Sequence, residues 1–146
     1  VKKIIFGVVL LLSFAGCREP LDKHVDGLLE TQLAVQLSDF IKLQQELQDV
    51  NVKVKDVVTK LQTSGNANPL QVRAIHLEAD NLQGQMVSLN ESVSTAKHEL
   101  ILSIVKLLQS DGYTTSVSNR EDMETVKACI QRAIDERNSE FHAKNE

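Results

Sequence analysis

Apolar residues between Asn68 and Ser110 recur at alternating steps of three and four. They are Val72, Ile75, Ala79, Leu82, Met86, Leu89, Val93, Ala96, Leu100 and Leu107, with polar Ser103 in the same row. That spacing lays a narrow oily seam along one helix of about 40 residues, roughly 60 Å long. A seam of this length has to lie against another helix, and the stretch from Leu21 to Gln62 supplies one. Its seam reads Leu33, Leu37, Phe40, Gln44, Leu47, Asn51, Val54, Val58 and Leu61, with charged residues such as Asp39, Lys42, Lys53 and Asp56 on the outer face. Below Leu33 the row shifts: Leu21, Val25, Leu28 and Leu29 sit on another face, and Gly27 weakens the helix there.

Thr63 to Pro69 breaks the pattern. Gly65 suits the left-handed residue that closes a helix. Asn68 suits an N-cap, with Pro69 at the first helical position and Gln71 at the third. So short a connection joins antiparallel neighbours. Folding there pairs Leu61 with Val72, Val54 with Ala79, Phe40 with Val93 and Leu33 with Leu100, and every pair of residue numbers adds to one constant. Gln44 and Asn51 interrupt the seam and read as polar residues that fix register at some cost in stability, with a polar contact to a partner helix as the alternative.

Leu100, Ile101, Leu102, Ile104, Val105, Leu107 and Leu108 are apolar on more than one face, so a third helix has to cover this end. Asp111-Gly112 stops the second helix, Tyr113 to Val117 links, and Ser118 with Glu121 reads as a capping box. Met123, Val126, Ile130, Ala133 and Ile134 then give a short amphipathic helix. The expected fold is all-α. A long antiparallel, coiled-coil-like αα-hairpin (21–62 and 69–110) is joined at one end by a shorter helix (119–137) into a three-helix bundle. The tail, 138–146, is polar apart from Phe141 and is expected to fray. Val50, Val52, Val57 and Leu77 fall beside the predicted seam, which makes them the candidate face for a protein partner or for self-association.

Composition agrees with packed helices. Of 146 residues, 42% are hydrophobic but only 3% aromatic, and six Gly with two Pro leave few turns. The formal charge is −4, and without Lys2 and Lys3 it becomes −6. An acidic chain poor in aromatics argues against nucleic acid and offers no basic patch for anionic lipid.

The first residues have a different character. Lys2 and Lys3 precede an apolar run from Ile4 to Ala15 broken only by Gly7 and Ser13. This is the layout of a secretory signal peptide, residues 1–16, and the run is too short to span a bilayer. It ends in Phe14-Ala15-Gly16-Cys17, which resembles the lipobox of bacterial lipoproteins, although Phe14 stands where that family usually has Leu. The resemblance covers the leader alone. It implies a diacylglyceryl group on the Cys17 sulfur, cleavage before Cys17 and acylation of the new amino terminus. Arg18 stands where an Asp would retain an enteric lipoprotein in the inner membrane, so the resemblance implies the outer membrane, with the periplasmic or surface face open. Ser13-Phe14-Ala15 is also an acceptable site for ordinary signal peptidase, and a cut there would release the protein unlipidated. Residues 17–20 make only a short linker before the first helix, with Pro20 suited to its start.

Chemistry is sparse. His98-Glu99 begins like the zinc motif H-E-x-x-H, but Leu102 stands where the second His belongs. His24, His76 and His142 show no ligand spacing and read as solvent-facing. Glu121, Asp122 and Glu124 suit the positive end of a helix. Cys129, beside the apolar face of the last helix, reads as core, with a cross-link between two chains as the alternative. No catalytic residue, metal or cofactor is expected, nor an enzyme. The expected role is a membrane-anchored envelope lipoprotein that binds or scaffolds protein through its hairpin. The alternative is a surface-exposed lipoprotein that binds a host or environmental ligand.

Overall fold

A computed structural model describes residues 19–65 and 68–145. The leader and Cys17, with the lipid attachment expected there, lie outside the described residues. The described residues form four helices and no strand: α1 (Leu21–Glu30), α2 (Ala34–Thr63), α3 (Pro69–Ser110) and α4 (Arg120–Asn145). The fold is all-α. No described helix is long and apolar enough to cross a membrane.

α2 and α3 pack along each other more extensively than any other two helices. α3 starts at Asn68, whose side-chain oxygen accepts from the Leu70 N–H at 3.1 Å, with Pro69 at the first helical position. That cap satisfies one of the amides a helix start leaves open. Every α3 seam position from Val72 to Leu107 is buried or half-buried. α3 ends in a Schellman turn. Gly112 takes φ 91°, its N–H reaches the Gln109 carbonyl at 3.1 Å, and the Tyr113 N–H reaches that of Leu108 at 2.9 Å. The end of α2 is different from the expectation. Gly65 does not adopt the left-handed conformation; instead the Ser64 hydroxyl donates to the Leu61 carbonyl at 2.8 Å and Thr63 donates to Thr59 at 3.0 Å. Side-chain hydroxyls thus do the work expected of the glycine.

The predicted helix from 21 to 62 is two helices. Thr31 turns its hydroxyl back to the Gly27 carbonyl at 2.7 Å, and the Leu33 N–H reaches the Leu28 carbonyl at 2.9 Å. The break resolves the shifted row. An unbroken helix would carry the Val25–Leu28 face on to Gln32 and Gln36; re-phasing at residues 31–33 turns Leu33, Leu37 and Phe40 inward instead. α1 then packs chiefly on α4.

A second correction concerns phase within α2. Val50 and Val57 lie in the seam, 6% and 2% exposed, while Asn51 and Val58 face outward, Val58 at 46%. From Gln44 the inward row runs Leu47, Val50, Val54, Val57, Leu61. Two consecutive steps of three, Gln44 to Leu47 to Val50, shift the seam by one residue, as a three-residue discontinuity does in a coiled coil. The physical reason is that this phase puts a valine where the other would put the Asn51 amide.

α4 also differs from expectation. Its cap is Asn119, whose side-chain oxygen accepts from the Asp122 N–H at 3.2 Å; Ser118 is occupied with the Ser116 hydroxyl at 2.7 Å. The expected Ser118–Glu121 box is therefore not what starts the helix. α4 also continues through the segment expected to fray, to Asn145.

The described residues form two separate cores. The larger joins all four helices: Val25 and Leu29 of α1, Leu37 and Phe40 of α2, Leu100 and Ile104 of α3, Val126 and Ile130 of α4. Each such side chain contributes about 1.5–3 kcal/mol of burial before entropy is subtracted. The smaller core belongs to the two-helix stalk and buries only Val50, Val57 and Leu82 fully. The described residues form a helical bundle at one end, beyond which α2 and α3 pack along one another alone.

Candidate functional site

The face proposed by the sequence divides in two. Val50 and Val57 are core residues of the stalk and offer nothing to a partner. Val52 and Leu77 are exposed, 58% and 63%. Counting from the observed seams, each stands at the outermost position of its own helix, so the two point away from one another. They do not form one patch. The cheap signal that would have separated the two sets is Asn51: a seam drawn through Val50 and Val57 avoids burying an amide.

The base of the bundle brings together residues that spacing did not connect. His24 on α1 is not solvent-facing as expected. Its Nε2 stands 2.8 Å from an Asp111 carboxylate oxygen and its Nδ1 3.4 Å from one of Glu19. Its ring lies 4.9 Å from that of Tyr113. The Tyr113 hydroxyl donates to the main-chain oxygen of Glu19 at 2.7 Å. This fastens residue 19, two residues past Cys17, to the Schellman turn at the end of α3. These surface pairs hold position more than they stabilise.

Cys129 is fully buried between α4 and α1. Its thiol donates to the Asp22 carbonyl at 3.5 Å, and Arg132 donates to its sulfur at 3.2 Å. Burial pushes the thiol's pKa up, against the opposing pull of the Arg132 hydrogen bond. A buried thiol held protonated is a poor nucleophile. Arg132 also pairs with Asp26 at 3.4 Å, and Arg137 donates to the Ser38 hydroxyl. These contacts fix α4 against α1 and α2.

His76, the neighbours His98 and Glu99, and His142 are all exposed. Among the described residues no three His, Cys, Asp or Glu side chains are grouped to hold a metal ion.

Among the described residues, a groove of about 750 Å³, within the range of binding sites, lies between α2, α3 and α4. Ile41 and Leu47 of α2, Val93 of α3, and Ile134 and Phe141 of α4 give it an apolar lining; Gln44, Gln48, Asn51 and Asn138 add amides. Sequence reasoning missed this groove because it assigned Phe141 to a frayed tail. No family model matches the chain, and neither a curated protein nor a solved structure matches it significantly.

Proposed function

We propose that this chain is a non-catalytic envelope lipoprotein, anchored through lipid on Cys17, whose helical hairpin binds or scaffolds another protein away from the membrane. One observation carries the reading. Glu19, two residues past the lipobox-like Phe14-Ala15-Gly16-Cys17, is tied through Tyr113 and His24 to the bundle end of α3. The hairpin turn is at the other end of that 42-residue helix, roughly 60 Å away at 1.5 Å per residue. An anchor at one end and a projecting helical pair at the other suit a spacer or docking arm better than a reaction vessel. An outer-membrane location follows from Arg18 after the cysteine, by resemblance to enteric lipoproteins alone.

Metabolic labelling with an alkynyl fatty acid tests the anchor. Wild type labels and floats with membranes, and Cys17→Ser does neither. An unlabelled wild type, cut before Gly16, refutes it. The docking part is tested by cross-linking in native membranes.

A further inference from the structure

We propose that the groove between α2, α3 and the last turns of α4 is the docking site for a basic amphipathic helix of another protein. This rests on the reading above that the chain binds protein, and it replaces the outward-facing Val52 and Leu77 with a defined site.

α4 packs into the bundle through buried Ile130 and Ile134. Seven residues beyond Ile134, on the same face, Phe141 stands at the groove 57% exposed, while Arg137 between them is turned to the Ser38 hydroxyl of α2. Phe141 and half-buried Val93 of α3 are apolar groups at the groove that the described helices leave only partly covered. The groove's volume is that of roughly two turns of a helix about 10 Å across. A helix laid there would complete the third position of the bundle, with apolar residues at helical spacing meeting Ile41, Leu47, Val93 and Phe141.

Charge selects which helix. Asp49 and Asp135 stand at the groove, and none of its described lining residues is Lys or Arg. His142 stands edge-on to Phe141. Gln131 donates to Asp135 at 3.0 Å and leaves that carboxylate further acceptor positions. A helix with Lys or Arg flanking its apolar ridge meets both carboxylates. A second copy of this chain, with a formal charge of −4, brings the wrong overall sign.

The test is site-specific photo-cross-linking of the full chain in the cells that make it. Phe141→p-benzoylphenylalanine reports on the groove and Leu77→p-benzoylphenylalanine on the outer stalk. The cross-linked peptide is sequenced by mass spectrometry. The expected product at position 141 is one protein segment with apolar residues at three-and-four spacing and flanking Lys or Arg. Asp49→Lys with Asp135→Lys should cut its yield about tenfold, and Glu78→Lys, on the far side of the stalk, should not. A product with a second copy of this chain, with an acidic or non-helical segment, or one indifferent to the double change overturns the groove assignment. A product at position 77 alone overturns the groove but leaves the docking arm standing; no product at either position overturns both.

Discussion

Val57 and Val58 are identical side chains, adjacent in one helix, in opposite surroundings: 2% and 46% exposed. Changing each to Ala removes the same atoms and gives the same gain in helix propensity, about 0.5 kcal/mol. At Val57 the lost burial is about 1.6 kcal/mol at about 0.8 per methylene-sized group, and a residual cavity adds to it. The net cost is about 1.5 kcal/mol. At Val58 roughly half the burial is at stake, so the change falls within about 0.5 kcal/mol of zero. The stalk core is separate from the bundle core, so the effect should be local. Hydrogen exchange read by mass spectrometry should show stalk amides, 47–61 and 72–89, exchanging about tenfold faster in Val57→Ala, since about 1.4 kcal/mol is a factor of ten. Amides around Leu100 to Leu108 should keep their rates. Val58→Ala should resemble wild type throughout. If Val58→Ala opens the stalk as much as Val57→Ala does, the seam runs through Asn51 and Val58 and the observed phase is wrong.

Three other outcomes follow from the same contacts. Asn68→Ala removes the α3 cap and should cost about 1 kcal/mol, seen as faster exchange in the first turn of α3. Gly112→Ala forces a Cβ into the left-handed region at φ 91° and should cost about 1 kcal/mol, read as a lower urea midpoint; an unchanged midpoint would contradict the Schellman turn. Cys129 should resist iodoacetamide in the native protein and react once urea unfolds it. Its folded-state pKa is raised, chiefly by burial, so the native state keeps a proton that the unfolded chain releases. That contribution to stability is present below the ordinary thiol range and is lost as pH rises through the raised value, so an alkaline urea series on wild type and Cys129→Ala should diverge there, with wild type losing more.

The sequence by itself determined the helical class and the long seam of α3. Periodicity is a local property, and over some forty residues a period of 3.6 leaves no other element able to bury that row. The cap at Asn68 and the stop at Gly112 were equally local. The phase of α2 was not fixed this way. Leu47, Val54 and Leu61 are common to a seam through Asn51 and Val58 and to one through Val50 and Val57. Only packing against α3 chooses between them. The break at residues 31–33 and the persistence of α4 to Asn145 also depended on partners distant in the chain, because α1 and α4 cover one another. The same is true of His24. Nothing near it in sequence announces Asp111, 87 residues on, and the two meet only because α3 ends beside the start of α1. The groove was invisible for the same reason: it is a gap between helices, and a gap has no sequence until the helices that flank it are placed.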